Sequence, residues 1–305
     1  LPGSVFVHNR LTHSLEVSCV GRSIGNNVGR ELSAKYPELA SELSEIGAIV
    51  AAACLAHDLG NPPFGHSGEN AIGTFFSEGK GVEYRNRLNI TAEQWADLTT
   101  FEGNANAFRI LTHQFEGRRA GGFVLTYPTL ASIVKYPYES RFADAKKQKF
   151  GFFQSEVKSY ERIAQDLGII RNPYNENRYA RYPLVYLVEA ADDICYQMMD
   201  IEDAFKLKLL TPRETKDLYL LFLDEKKKER VKDVCKLVAD ENEQIAYLRA
   251  TIIGILIREC TQVFVDNEDA ILNGTFEGAL IKHISPTLSE AYEQCSKVAF
   301  EKIYC

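Results

Sequence analysis

Apolar residues recur along this chain mostly at the spacing of amphipathic helices. Four of them lie at intervals of four and predict a first helix with one buried face, namely Val20, Ile24, Val28 and Leu32. Residues 42–58 are apolar on nearly every side, which is typical of a central helix enclosed by other helices. Gly60 and the following Pro62-Pro63 are predicted to end this helix.

Caps and breakers mark the other predicted helices. Thr91 and Gln94 form a capping box, and Ser155 suits the cap of a later helix. Pro183 suits the first position of a long helix, because its fixed φ is already helical. The predicted segments run from near His66 through Phe76, from Thr91 onward, from Ser155 to Gly168, from Pro183 to about Lys206, and over 213–239, 242–266 and 286–300.

Strand signals are few. Gly121-Gly122, followed by the run Phe123–Tyr127, is the best candidate for a small hairpin. Alternating strand and helix units are absent, so we predict a mainly α fold. This fold is a helical bundle with additional C-terminal helices and at most a small β-hairpin. We expect a core over 1–210 and a helical region over 211–305 packed on it, together forming one compact unit.

Composition is that of an ordinary globular protein. The 305 residues suffice for one large domain or two modest ones. Hydrophobic residues make up 45% and charged residues 25%, which argues against disorder. The net charge of −7 does not support a broad nucleic-acid or membrane-surface patch, although a local basic pocket is compatible with it.

The cysteines and the apolar runs indicate the cellular compartment of the protein. The seven cysteines are scattered, contain no Cys-x-x-Cys pair and are odd in number, which indicates reduced thiols in a cytosolic protein. The cysteine pattern therefore predicts a cytoplasmic protein. We also expect no apolar run near the roughly 20 residues needed to cross a bilayer. A secretory signal is not expected either. Leu1 is not methionine and Pro2-Gly3 follows it, so we expect a truncated start.

The dipeptide His57-Asp58 is the most informative chemical feature. An imidazole and a carboxylate at the end of an apolar helix are costly to bury unless something pairs with them. Both side chains ligate divalent metal ions. His13 lies at the start of the first predicted helix, and Arg10, three residues earlier, can face the same cavity and bind an anion. A histidine at a helix start is more often a hydrogen-bonded core or surface residue, so His13 alone does not define a metal site.

A second polar segment lies in the long helix after Pro183. Asp192 and Asp193 cannot both face one site, because each helical step rotates by about 100°. Asp192, Tyr196 and Asp200 are spaced by four and drift only about 40° per step along one stripe. This spacing favours Asp192 as the inward carboxylate. The alternative is a polar seam between packed helices.

His66 and Glu69 lie three residues apart, on one face of a helical turn. A carboxylate hydrogen-bonded to an imidazole fixes its tautomer and raises its basicity, which suits proton transfer to or from a reacting water or leaving oxygen. Alternatively, Glu69 is a first-turn residue favoured by the helix dipole.

Taken together, these residues resemble the HD-domain metallophosphohydrolases, and more narrowly the deoxyguanosine triphosphate triphosphohydrolase family. The family pattern of a His, a later His-Asp pair and a distant Asp maps onto His13, His57, Asp58 and Asp192. The narrower match rests on four blocks in order, Asn9–Ser14, His57–His66, Phe101–Asn106 and Glu189–Tyr196. The C-terminal hundred residues match only loosely. The implied fold is an HD-domain helical bundle.

The resemblance implies hydrolysis of a deoxynucleoside triphosphate (dNTP), dGTP or another, to deoxynucleoside and intact triphosphate. The four mapped residues would hold one divalent ion. Mn²⁺ or Mg²⁺ suits phosphate chemistry, and Fe, Co or Ni also suits two His and two carboxylates. His66 with Glu69 would be the acid–base pair. Six residues would contact substrate: Arg10 and Lys135 at phosphate oxygens, Tyr196 at the sugar, Asp200 near the phosphates or their metal, and Asn61 and Glu102 in roles left open.

The resemblance also implies a homo-oligomer, up to a hexamer, with a regulatory nucleotide or single-stranded DNA as possible further partners. Two other functions stay open. One is an HD-type 5′-nucleotidase or a phosphodiesterase acting on a signalling nucleotide. The other is a non-catalytic nucleotide or nucleic-acid sensor, against which the presence of both His66 and Glu69 weighs.

Overall fold

The fold is helical over most of the chain. The computed structural model describes residues 8–117, 120–144, 146 and 148–304. The α-helices are α1 (Arg10–Lys35), α2 (Ala40–Leu43), α3 (Ile46–Ala56), α4 (His66–Ser77), α5 (Tyr84–Arg87), α6 (Ala92–Thr99), α7 (Gly103–Thr112), α8 (Tyr127–Ile133), α9 (Val157–Asp166), α10 (Val185–Lys206), α11 (Pro212–Leu220), α12 (Glu225–Leu237), α13 (Glu241–Asp266), α14 (Glu268–Leu272) and α15 (Pro286–Ala299). The prediction of a mainly α fold is confirmed.

Short helices of other types complete the described elements. The 3₁₀ turns are Pro37–Leu39, Lys80–Glu83, Ser140–Phe142, Gln154–Glu156 and Leu280–Lys282, and a π-helix covers Phe300–Tyr304. The described β structure is one antiparallel hairpin of β1 (Arg171–Asn172) and β2 (Asn175–Tyr179).

The hairpin exists, but its predicted place was wrong. The segment after Gly121-Gly122 is a turn, in which the Phe123 N–H donates to the Leu111 carbonyl at 3.0 Å. Val124 has a positive φ of 56°, outside the β region, and α8 begins three residues later. The observed hairpin turns at Asn172, whose side-chain oxygen accepts from the N–H groups of Tyr174 and Asn175.

Several predicted helix boundaries also differ. The apolar segment 42–58 is interrupted, because Ser44 and Glu45 form a turn between α2 and α3. The segment 213–239 divides into α11 and α12, since Asp224 accepts from the Lys227 N–H and caps a new helix. Ser155 does not cap α9. It lies within a 3₁₀ turn, and its hydroxyl donates to Glu156 Oε2 instead.

Packing divides the described chain into two compact units. The first comprises the described residues of Leu1–Gly47, Glu189–Asp266 and Gly278–Cys305. In this unit α1 and α11 pack against α13. Its buried core contains Val17, Ile24, Val28, Ile194, Met198, Ile252 and Leu256. The four residues predicted to form the buried face of α1 are all buried, so that prediction is confirmed.

The second unit comprises Ala48–Val188 and Asn267–Glu277. Here α4 packs on α6, and α8 packs on both α7 and α9. Its centre is aromatic: the ring of Tyr160 stacks on Phe152 at 4.6 Å and meets Phe108 edge-on at 5.9 Å. The predicted division at residue 210 stays a prediction.

One described stretch, Pro37–Ala56, is long and apolar enough to cross a membrane by length and composition, and 39% of it is buried. The expectation that no apolar run reaches this length was therefore wrong. The core helix of a soluble protein passes the same test. A turn divides the stretch into α2 and α3. The six cysteines in the described part of the chain are thiols.

Candidate functional site

In the first unit, His13 and Asp192 form a close pair. Asn9 caps α1 through a capping box with Thr12, which places His13 in the first helical turn. The His13 Nε2 atom lies 2.9 Å from Asp192 Oδ1, and both side chains are partly buried. An imidazole nitrogen and a carboxylate oxygen at this separation are two ligand atoms that a divalent metal ion can share.

The helix α10 presents one accessible polar stripe. Tyr196 is exposed and Asp192 and Asp200 are partly exposed, whereas Ile194, Cys195, Met198 and Met199 between them are buried. At the neighbouring Asp193, the backbone carbonyl accepts a hydrogen bond from Tyr292 Oη at 2.9 Å. Arg10 lies at the exposed first position of α1. The substrate-binding roles of Arg10, Tyr196 and Asp200 stay predictions.

In the second unit, His57 and Asp58 lie in the turn that follows α3. The His57 Nδ1 atom is 2.6 Å from the Cys54 carbonyl, and a carbonyl can only accept, so Nδ1 carries the proton. Nε2 then carries the lone pair, which is the tautomer of a metal-ligating histidine. This nitrogen lies 3.5 Å from Asp58 Oδ1. Asn61 Nδ2 donates to the same oxygen at 2.7 Å and orients it.

Close backbone packing holds the loop after His57. The Asn106 amide donates to the Gly60 carbonyl at 2.9 Å. A Cβ at Gly103 would lie 2.2 Å from Asn61 Oδ1 and 2.9 Å from Glu69 Oε1, so a larger residue would require these side chains to shift. The block that contains Gly103 therefore lets the start of α7 approach both Asn61 and Glu69.

His66 and Glu69 form the candidate acid–base pair at the start of α4. Gly65 precedes the helix with a φ of 54°, a left-handed conformation that glycine tolerates. His66 Nδ1 lies 2.7 Å from Glu69 Oε2, and the Gly103 N–H donates to Oε1 at 2.8 Å. Burial raises the pKa of Glu69, but the hydrogen bonds from His66 and Gly103 outweigh it and leave the pKa below its ordinary value.

The arrangement orients an accessible imidazole with a buried carboxylate. The His66 side chain is 80% exposed and that of Glu69 only 9%. Because Nδ1 donates to the carboxylate, Nε2 is the nitrogen that can exchange a proton with a bound molecule. Glu69 also lies in the first turn of α4, so the helix dipole favours its charge as well.

Lys149 is a charged group that the sequence reasoning missed. Its Nζ lies 2.6 Å from Glu102 Oε1 and 3.4 Å from Glu69 Oε2. Burial lowers the pKa of Lys149, but the charges and hydrogen bonds of Glu102 and Glu69 together raise it above its ordinary value, so the lysine stays protonated. A lysine directly before the buried Phe150 was the one local signal for this role.

These groups line one cavity of about 500 Å³. Its wall includes His66, Glu69, Asn70, Thr99, Thr100, Glu102 and Lys149. The size is within the usual range for small-molecule sites. Glu102 is 1% exposed, and it caps α7 by accepting a hydrogen bond from the Asn104 N–H. Its predicted contact with substrate stays a prediction.

Lys135 follows α8 in the same unit. Its Nζ lies 5.8 Å from the centroid of the Tyr136 ring, a cation–π contact. Lys135 is not among the residues that line the cavity at His66. The predicted contact between Lys135 and phosphate therefore stays a prediction.

Asp97 supports the segment that carries Lys149. Its carboxylate accepts hydrogen bonds from Ser140 Oγ at 2.6 Å and from the Gln154 N–H at 2.7 Å. Lys149 lies between these two residues in the sequence. Burial raises the pKa of Asp97 from 3.8 to about 6, although both hydrogen bonds oppose the shift. Between about pH 4 and pH 6 the folded protein therefore retains a proton that the unfolded chain has released.

We expect Asp97→Asn to change the pH dependence of stability. In the wild type, the free energy of unfolding should fall as pH rises from about 4 to 6, because unfolding releases the proton. The total is about 3 kcal/mol at most. Asparagine can keep both hydrogen bonds without a charge. The melting temperature of the variant, relative to wild type, should be higher at about pH 7.5 than at about pH 4.5. An equal difference at both pH values, or the same trend in the surface control Asp166→Asn, would contradict this.

Comparison with known proteins first defines the class. Residues 10–120, which include His13, His57, Asp58, His66 and Glu69, match the model of the HD domain. The chain is therefore an HD-domain protein, a helical class that binds divalent metal ions.

Comparison over nearly the whole of this chain then defines the family. A deoxyguanosinetriphosphate triphosphohydrolase-like protein of Pseudomonas aeruginosa is 42% identical over 305 residues, which cover 98% of this chain and 67% of that protein. A protein of the same description from Synechocystis is 40% identical over 304 residues, covering 96% and 68%. The deoxyguanosinetriphosphate triphosphohydrolase of Yersinia enterocolitica is 30% identical over 345 residues, covering 98% and 65%.

The chain belongs to the deoxyguanosinetriphosphate triphosphohydrolase-like family of HD-domain proteins. It spans about two thirds of the length of these relatives. Membership supports a metal-dependent phosphohydrolase activity.

Proposed function

We propose that this protein hydrolyses deoxynucleoside triphosphates to deoxynucleoside and inorganic triphosphate with one divalent metal ion. The observation that carries the proposal is the His66–Glu69 pair at 2.7 Å in a cavity of about 500 Å³. An accessible imidazole held by a buried carboxylate is equipped for proton transfer. Membership of a family whose relatives are described as triphosphohydrolases supports the choice of substrate.

The reaction joins water to the α-phosphorus and breaks its bond to the 5′ oxygen of the sugar. A divalent ion held by His13, His57, Asp58 and Asp192 would supply positive charge to phosphate oxygens and lower the pKa of a coordinated water. The donor set of two imidazoles and two carboxylates suits such an ion, and the His57 tautomer fits a ligand.

The side chains of this protein manage the protons. His66 Nε2 would exchange a proton with the attacking water or the leaving 5′ oxygen, while Glu69 stabilises the imidazolium that forms. The hydrogen bond from Gly103 and the charge of Lys149 keep Glu69 ionised for this role. Lys149 also balances the buried charge of Glu102, which would otherwise repel phosphate.

Other predicted residues would hold the substrate. Arg10 and Lys135 would bind phosphate oxygens through charge-assisted hydrogen bonds. The ring of Tyr196 would lie against the deoxyribose, where its bulk disfavours a 2′-hydroxyl. Asp200 would lie near the phosphates or their metal. Asn61 would act by orienting Asp58, whose carboxylate it contacts.

Product analysis tests the proposal. The purified protein is incubated with each of the four dNTPs and with Mn²⁺, Mg²⁺, Co²⁺ or Ni²⁺, and nucleoside and triphosphate are quantified. We expect equal amounts of both products. Phosphate released from a monophosphate, or a linearised cyclic nucleotide, without triphosphate from any dNTP would overturn the proposal. Nucleotide binding without turnover would also overturn it and would indicate a sensor.

The same assay addresses partners. Activity with a dNTP mixture that exceeds the sum of the single reactions would reveal a regulatory nucleotide, and added single-stranded DNA tests that partner in the same way. We also propose that the protein is cytoplasmic and forms a homo-oligomer, up to a hexamer. Light scattering would measure the mass of this oligomer.

A further inference from the structure

A second set of contacts joins the start of α1 to α10, away from the His13–Asp192 pair. The backbone N–H of His8 donates to Asp203 Oδ2 at 2.9 Å, and His8 Nδ1 lies 2.8 Å from Asp203 Oδ1. One carboxylate therefore binds both the main chain and the side chain of one residue. The side chains are only 8% and 14% exposed. We call these two contacts the His8–Asp203 clamp.

The clamp belongs to a partly buried ionic network in the first unit. His8 Nε2 lies 3.4 Å from Glu16 Oε1, and Glu16 Oε2 lies 3.6 Å from Arg249 of α13. Arg249 contacts Glu202 of α10 at 2.6 Å. The hydrogen bonds with Asp203 and Glu16 raise the pKa of His8 to about 9. His8 is therefore protonated at neutral pH, and both of its ring nitrogens donate.

A partly buried ionic network of this kind is not needed for stability alone. Desolvation of the charges offsets most of their attraction, and apolar residues of similar volume often stabilise a fold as well. What such a network supplies is a defined orientation between the elements that it joins. Here it joins His8, two residues before the start of α1, to α10, and α1 and α10 in turn to α13.

The clamp lies close in sequence to the residues predicted to bind substrate. Arg10 follows His8 by two residues, and Asp200 precedes Asp203 by three, on the same face of α10. Asp192 lies further back on that helix, about 16 Å along its axis from Asp203 at about 1.5 Å per residue. The start of α1 is thus held at two points along α10, at Asp192 and at Asp203. Arg10 lies in the chain segment between these two attachments.

We propose that His8 and Asp203 are positioning residues for polyphosphate binding, which hold Arg10 beside the Asp192–Tyr196–Asp200 stripe of α10. The proposal rests on the proposed function, because it concerns the triphosphate of the same substrate. The side chain of an arginine in the first turn of a helix has several rotamers, and the backbone at a helix end frays. Fixing His8, two residues earlier, to α10 places the guanidinium before substrate arrives, which reduces the entropy lost on binding.

Two variants of the whole chain test this proposal. Asp203→Asn leaves one acceptor oxygen, so it can keep only one of the two hydrogen bonds. His8→Gln removes the positive charge but keeps the backbone N–H bond. For both variants we expect KM for a dNTP to rise about ten- to a hundredfold, with kcat changed less than about threefold. The dissociation constant for inorganic tripolyphosphate, measured by calorimetry, should rise by a similar factor. Bound metal should stay unchanged.

Matched controls separate positioning from folding. Asp233→Asn and His283→Gln remove the same groups from exposed sites in the first unit and should leave KM unchanged. A lower melting temperature with unchanged KM and unchanged tripolyphosphate affinity would overturn the proposal and indicate a purely structural clamp. A fall in kcat at constant KM would overturn it as well.

Tripolyphosphate binding separates failure of this proposal from failure of the proposed function. If the wild type hydrolyses no dNTP, yet both clamp variants bind tripolyphosphate more weakly than the wild type, the triphosphohydrolase proposal fails and the clamp proposal stands. If dNTPs are hydrolysed and the clamp variants match the wild type in both KM and tripolyphosphate affinity, only the clamp proposal fails.

Discussion

His66→Ala is expected to abolish triphosphate release while bound metal stays unchanged. The imidazole is the accessible half of a pair whose buried carboxylate, Glu69, lies 2.7 Å away, so the substitution removes the group proposed to exchange the proton. General acid–base catalysis contributes about 10²–10⁴-fold, and kcat should fall by that factor. The measurement is kcat for the preferred dNTP together with metal content by elemental analysis.

Two further variants sharpen this test. Glu69→Gln keeps the size of the side chain, but its amide nitrogen cannot accept from His66 Nδ1, so we expect kcat to fall by about 100-fold or more. His113→Ala removes a half-buried imidazole of the same unit, which packs edge-on to Phe115, and should leave kcat unchanged. Normal turnover by His66→Ala would remove the catalytic assignment.

Asp192→Asn is expected to release the metal and with it the activity. The Asp192 carboxylate lies 2.9 Å from the His13 imidazole, and an amide oxygen lacks the charge that a divalent ion requires. Loss of outer groups around a metal costs about 10–100-fold in affinity, so loss of a direct ligand should cost more than about 100-fold. The fold should persist, since the amide can still hydrogen-bond to His13. Calorimetric titration with Mn²⁺ measures the effect.

The adjacent acid provides the matched control. Asp193→Asn makes the same chemical change one residue further along α10. Its backbone carbonyl, which accepts from Tyr292, is untouched by the substitution. We expect its Mn²⁺ affinity and kcat to match the wild type. If Asp192→Asn and Asp193→Asn lost metal equally, metal affinity would depend on the total negative charge of α10, and Asp192 would not be a specific ligand.

Sequence alone determined the elements with strong local signals. The buried face of α1, the capping box of α6 and the long α10 follow from periodicity and end signals, and the structure agrees except that α10 begins at Val185 and not at Pro183. The sequence could also predict which residues lie together within one helix, because helix geometry determines which side chains share a face. His66 and Glu69 at three residues apart are such a case.

Tertiary structure decided what depends on packing between distant segments. The Lys149 contacts with Glu69 and Glu102, the clamp of His8 on Asp203 and the place of the hairpin have no periodic signal. A charged residue in a loop has the same local pattern whether it is solvated or buried beside an opposite charge. Only the folded chain, by excluding water and bringing such groups within a few ångströms, selects one partner among many.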